Sequence, residues 1–197
     1  EDFGVIAIGY TVLTFITMFT ELSLSTAAVQ TQRLTQNTAS AIFGINIATT
    51  LVAFVIAAIS TPLTVWLFQD TRLPAVIVGL AICAPINALG SQHSALMTRN
   101  MRWMLLQTLS LSSMIVGSIA AVLAAWLLDI GYWTLVVQAI VSAIVGVVLT
   151  WMAFPWRPSI VTDWSGAKKA LRFSLNLTGV TMMGFLHRQT DNILIGW

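Results

Sequence analysis

The sequence predicts an all-α, polytopic helical membrane protein, and three observations carry that prediction. Charged residues make up 8% of the chain and apolar residues 57%, whereas a soluble domain is about one quarter charged. The mean hydropathy is +0.88, and several apolar runs reach the ~17–25 residues that cross hydrocarbon as a helix. Strand-type alternation of apolar and polar residues is absent, which argues against an outer-membrane barrel.

Taken in order, the first span covers about residues 3–30. It opens on Phe3 and stays helix-compatible through the more polar Leu22-Ser23-Leu24-Ser25-Thr26-Ala27-Ala28-Val29-Gln30. A polar loop leads to a second span over 39–67, where Asn46, Thr49 and Thr50 form a mild polar stripe suited to interhelical hydrogen bonds. Pro62 near its end is placed to kink it. The third span, 75–97, contains Pro85, Asn87 and Gly90, and Pro85 again invites a break. The fourth, 105–128, carries Ser112, Ser113, Gly117, Ser118, Ala120 and Ala121, small enough for close helix approach. Asp129-Ile130-Gly131 reads as a tight turn into the fifth, 132–154, which Pro155-Trp156-Arg157-Pro158 stops. Residues 157–172 form a polar linker. Thr162 or Asp163 is its candidate N-cap, and Trp164, Lys168, Lys169 and Arg172 suit a helix lying in the interface. A last, incomplete span occupies 173–197. The apolar runs at both ends lead us to expect a piece of a longer protein, lacking at least one element at each end.

Loops on one side of this arrangement carry Arg33, Arg99, Arg102, Arg157, Lys168, Lys169 and Arg172. The other side has Arg72, with Glu1, Asp2, Asp70 and Asp129. Basic loops stay in the cytoplasm, so the expected placement is a bacterial inner membrane with Glu1 outside and the 157–172 linker inside. Trp66, Trp126 and Trp133 fall near one boundary and Trp103, Trp151 and Trp156 near the other, as an aromatic belt would.

Chemistry-bearing residues are few. Cys83 is the only cysteine, and His93 and His187 have no partner at metal-ligand spacing. No nucleophile motif, phosphate-cradling glycine loop or paired catalytic carboxylate is present. The expectation is therefore no enzyme, no cofactor, no metal and no nucleic-acid partner. The strongest candidate site is a polar island in the last span: Arg188 and Asp191 lie three residues apart on one helix face, and Asn192 extends the stripe. Ionisable groups deep in a bilayer cost roughly 2.5–3.5 kcal/mol on insertion scales and usually face a protein interior or a watery cavity. The island is either a substrate or coupling site or an ion pair that pins two helices. Glu21 carries the same two readings, as a cavity carboxylate or a headgroup-level partner of Arg33.

A set of short motifs runs along the chain: Glu1-Asp2-Phe3-Gly4, the Glu21–Gln30 stretch, Arg99-Asn100-Met101-Arg102-Trp103 and Gly131-Tyr132-Trp133-Thr134-Leu135-Val136. Trp156-Arg157-Pro158, Arg172-Phe173-Ser174-Leu175-Asn176 and Arg188-x-x-Asp191-Asn192-x-x-Ile195-Gly196 complete it. In their order and spacing the chain resembles the Wzx-type polysaccharide flippases of the multidrug/oligosaccharidyl-lipid/polysaccharide (MOP) exporter superfamily, in the colanic-acid and exopolysaccharide exporter branch. The similarity covers essentially the whole chain. Glu21 stands where that family usually has Asp, and Ser23 and Ser174 stand where it usually has Gly.

The resemblance implies a fragment of a MATE-like transporter with two lobes and twelve or more helices. Residues 1–156 would be helices two to six of the first lobe, 157–172 the cytoplasmic linker and 173–197 the start of the second lobe. It also implies flipping of undecaprenyl-pyrophosphate-linked oligosaccharide units for surface polysaccharide biosynthesis, coupled to an ion. The implied partners are that lipid-linked substrate, membrane lipids and the polysaccharide polymerase machinery. In that frame Arg188 would attract the pyrophosphate or an acidic sugar, and Asp191 and Glu21 would hold a coupling cation. Two alternatives are a MATE-type drug/cation antiporter and a non-transporting scaffold of a polysaccharide assembly complex.

Overall fold

The computed structural model describes residues 28–29, 34–68, 70, 72–128, 130–161 and 171–172. Within them the chain forms α1 (Gln36–Phe68), α2 (Leu73–Ala81), α3 (Cys83–Arg99), α4 (Trp103–Leu128) and α5 (Trp133–Ala153). No strand occurs among the described residues. Helices α2 and α3 join end to end into one span, Leu73–Arg99, so among the described residues four helices are long and apolar enough to cross a membrane. The chain is a multi-pass membrane protein.

Two prolines sit well inside these spans. Each removes the N–H that would bond the carbonyl four residues back. At Pro62 that carbonyl belongs to Ala58, and Thr61 Oγ1 donates to it at 2.7 Å. Helix α1 runs on through Pro62. At Pro85 the orphaned carbonyl is Ala81's. The interruption there is one residue, Ile82, whose backbone stays helical and whose N–H still donates to Val78 O at 3.1 Å, so α2 and α3 continue as one span.

The turns are equally specific. The α3–α4 turn is a Schellman motif: Arg102 N donates to Met97 O at 2.9 Å and Met101 N to Thr98 O at 3.0 Å. The left-handed position, normally glycine, is taken by Met101 at φ 56°. Gly131 supplies the positive φ, 54°, in the turn before α5. Ahead of α2, Arg72 donates from its backbone N (2.8 Å) and Nε (3.2 Å) to Asp70 Oδ1. Its guanidinium also sits 6.0 Å from the Tyr132 ring centre, tying this loop to the start of α5.

Among the described helices the Leu73–Arg99 span is the most buried. Half of its most apolar window (50%) is buried, against 22% for α1, 11% for α4 and 17% for α5. Helix α1 packs on one side of it and α5 on the other, and α4 packs chiefly on α5. At the Arg72 end, Leu73, Val76, Ile77, Leu80 and Val136 form one apolar cluster. At the opposite end Ala28, Ile42 and Ala95 form another. The outer faces of α1 and α4 remain apolar and exposed, including Val52, Ile56, Ile59, Ile119, Val122 and Trp126. Continuous apolar faces of this size suit contact with lipid or with further helices.

The α4–α5 seam rests on small residues. Ser113, Gly117 and Ala121, at successive four-residue steps, are the buried positions of α4. This is the small-xxx-small pattern that lets membrane helices approach closely. Gln138 Nε2 donates across the seam to Ser118 Oγ at 3.0 Å. Between α1 and α3, Asn46 Nδ2 donates to Ser91 Oγ at 2.5 Å. Thr49 and Thr50 instead bond carbonyls of their own helix, so of that stripe only Asn46 is seen bridging two helices.

Candidate functional site

A cavity of about 900 Å³ opens between α3, α4 and α5. Among the described helices α4 leans on α5 rather than on α3, which leaves the polar stripe of α3 lining the cavity. That stripe is Asn87, Ser91, Ser94 and Thr98. Their 4-3-4 spacing keeps them on one helix face. Gln107, Ser110 and Ser113 face it from α4, and Ser142 and Thr150 from α5. Gly90 and Gly146 thin the wall: a Cβ at Gly90 would stand 3.1 Å from Thr150 Oγ1, and one at Gly146 would stand 3.5 Å from Ser113 Oγ. Every polar group in the described wall is a neutral hydroxyl or amide.

The hydrogen bonds determine what this wall offers. Ser91 Oγ donates to Ala88 O at 2.9 Å, Ser94 Oγ to Gly90 O at 3.3 Å, Ser113 Oγ to Ser110 O at 2.8 Å and Thr150 Oγ1 to Val147 O at 2.9 Å. A hydroxyl whose proton is bound to its own helix presents lone pairs, and so acts as an acceptor. Asn87 and Gln107 are exposed, and each amide carries both donors and an acceptor.

Below the cavity, towards the end of α5, lies a second polar cluster. His93 is fully buried, with its ring 4.7 Å from that of Trp151 and 5.3 Å from that of Trp156. Its Nε2 lies 3.1 Å from the Trp156 carbonyl, a bond that requires the proton on Nε2. Trp156 Nε1 donates to Gln36 Oε1 at 2.8 Å, Gln36 Nε2 to Arg157 O at 2.6 Å and Ser159 N to Ser40 Oγ at 2.9 Å. Residues 156–159 are thereby laced to the start of α1. Trp151 Nε1 donates from α5 to Leu89 O of α3 at 2.8 Å, so both tryptophans bond other elements of the fold and their role goes beyond a lipid-facing belt. Arg99 donates to the Ala28 and Val29 carbonyls, both at 3.2 Å, which brings the close of the first span to the end of α3.

Of the residues singled out in the sequence, Arg188, Asp191, Asn192 and Glu21 lie outside the described residues, as do 162–170 of the linker. The cavity is a site the sequence reading passed over. Its signal was present in the 4-3-4 spacing of Asn87, Ser91, Ser94 and Thr98 within an apolar span, a pattern obscured by taking Asn87 only as part of the Pro85 break. Among the described residues no group of His, Cys, Asp and Glu could hold a metal ion.

Comparison with known proteins identifies a family. The whole chain, residues 1–197, matches the family described as polysaccharide biosynthesis protein. It is 26% identical over 196 residues to the succinoglycan biosynthesis transport protein ExoT of Rhizobium meliloti (strain 1021), covering 99% of this chain and 39% of the relative. It is 23% identical over 184 residues to the teichuronic acid biosynthesis protein TuaB of Bacillus subtilis (strain 168), covering 92% of this chain and 38% of the relative. The chain thus spans about two fifths of the length of these curated relatives. No solved structure matches it. These matches bear out the resemblance to the Wzx-type flippases: the chain belongs to the polysaccharide biosynthesis protein family.

Proposed function

We propose that the full-length protein flips an undecaprenyl-pyrophosphate-linked oligosaccharide from the cytoplasmic to the outer leaflet for surface polysaccharide biosynthesis. The observation that carries this reading is the cavity of about 900 Å³ walled by neutral hydroxyl and amide groups inside a membrane bundle. Such groups are costly in lipid unless they serve packing or a polar passenger. A drug/cation antiporter calls for carboxylates, and the described wall carries none. In this proposal residues 1–156 belong to the first lobe of a two-lobe transporter, 157–172 to the cytoplasmic linker and 173–197 to the second lobe, in an inner membrane with Glu1 outside. Arg188 then meets the pyrophosphate as a cation. Asp191, with Asn192 beside it, and Glu21 hold the coupling cation.

The test uses the full-length protein in a strain lacking its own flippase. Surface polysaccharide and the cytoplasmic-side pool of lipid-linked repeats are measured together. Export that returns while the pool falls supports the proposal; two unchanged pools, with the protein inserted and the matched polysaccharide locus present, refute it. Arg188→Ala is expected to abolish export. Asp191→Asn and Glu21→Gln are expected to remove its dependence on external pH, and unchanged pH profiles in both would eliminate the coupling role.

A further inference from the structure

We propose that the α3–α4–α5 cavity is a subsite for an uncharged, hydroxyl-rich stretch of glycan, and that it excludes the charged part of a lipid-linked substrate. The inference rests on the flippase reading and deepens it. Three observations carry it. First, the wall hydroxyls of Ser94, Ser113 and Thr150 already give their protons to carbonyls of their own helices. They therefore face the cavity as acceptors, and acceptors attract O–H donors while repelling phosphate and carboxylate oxygens. Second, the exposed amides of Asn87 on α3 and Gln107 on α4 each combine donors with an acceptor. A sugar hydroxyl, which donates one bond and accepts others, is complementary to such a pair. Third, no charged side chain stands in the described wall to attract an anion or a cation. A volume of about 900 Å³ lies within the range of small-ligand pockets.

The consequence is a division of labour by charge. The cavity handles neutral sugar, and anionic chemistry goes to cationic groups elsewhere in the chain.

The experiment uses the full-length protein in lipid nanodiscs. A neutral hexose tetrasaccharide and a tetrasaccharide of the same length with one hexuronate are titrated separately, and tryptophan fluorescence is read. The neutral probe is expected to bind and the uronate probe to bind at least several-fold more weakly. Asn87→Leu/Gln107→Leu, altering two exposed wall positions, is expected to weaken neutral binding about tenfold, the loss of roughly two neutral hydrogen bonds. Ser94→Ala, which removes one acceptor without adding bulk, is expected to weaken it less. Equal affinity for the two probes, no detectable neutral binding or an unchanged affinity in the double variant would each overturn the inference. Export in the flippase-lacking strain is scored in parallel. Neutral binding lost in the double variant, together with wild-type failure to export, would leave the subsite standing and sink the flippase reading instead.

Discussion

Gly117 offers a direct test of the packing described for α4 and α5. A Cβ placed there would land on Ser142 Oγ and stand 2.8 Å from the backbone carbonyl oxygen of Gln138. Ser142 can rotate out of the way, but the Gln138 carbonyl is fixed within α5. Gly117→Ala must therefore push the helices apart. Overpacking of this kind costs about 1–3 kcal/mol, offset by about 1 kcal/mol of helix propensity that alanine gains over glycine. A net loss of up to about 2 kcal/mol remains. Gly44 on α1 is the control: an added Cβ meets no described atom within 4 Å, so Gly44→Ala should be neutral or stabilising by up to about 1 kcal/mol. Both variants would be unfolded thermally in the full-length protein, and Gly117→Ala should melt clearly below Gly44→Ala. The seam itself can be read by cross-linking. A Cβ at Gly146 would lie 3.6 Å from Ser113 Cβ, within disulfide range, so Ser113→Cys/Gly146→Cys should oxidise readily. Adding Gly117→Ala, one turn away, should slow that reaction. Equal melting of the two glycine variants, together with an unchanged cross-linking rate, would refute the close approach of α4 and α5.

Three further outcomes are expected. Met101 occupies a left-handed position at φ 56°, which costs a side-chain residue about 1–2 kcal/mol. Met101→Gly should leave thermal stability equal or slightly raised after the added freedom of the unfolded chain, and the β-branched Met101→Val should lower it. Trp156→Ala removes ring contacts with His93 and Phe43 and the bond to Gln36. It should cost about 2–4 kcal/mol and speed hydrogen exchange at the Ser159 amide, where an unchanged rate would show that Ser40 alone holds the segment. Asp70 lies in the loop before α2, where the Arg72 backbone N–H and then its guanidinium hold its carboxyl below the usual range. A depressed carboxylate stabilises above its unfolded value, ~3.9, and that contribution is lost as pH falls through the folded one. Exchange at the Arg72 amide should thus be flat, after correction for intrinsic rates, from pH 8 to about 5 and rise below about 4. Asp70→Asn should remove the acid step.

The parts of the fold that could be read from the chain are those set by neighbours in sequence. Four apolar runs are helices because each is long enough and apolar enough to satisfy its own backbone. Gly131 was recognisable as a turn residue because few other residues take a positive φ easily. The small residues of α4 announced a close contact. They did not say that Ser113, Gly117 and Ala121 face inward while Ser112 and Ala120 are less buried. The candidate site was less accessible still: charge drew attention to Arg188, Asp191 and Glu21, whereas the cavity is made of serines, threonines and amides that look like ordinary helix-packing residues until three helices are set around them.

The sequence by itself determined a helical membrane protein and its turns, because hydrophobic length and turn chemistry are local properties, and with them its membership of the polysaccharide biosynthesis protein family. Only the tertiary structure decided which of the described helices is most buried, that α4 rests on α5, and that the acceptor faces of α3 look into open volume. Lipid is as apolar as leucine, so hydrophobicity does not distinguish a face that meets lipid from one that meets another helix. That choice is made by shape, where Gly117 admits the Gln138 carbonyl and where Asn46 reaches Ser91, and shape belongs to pairs of helices.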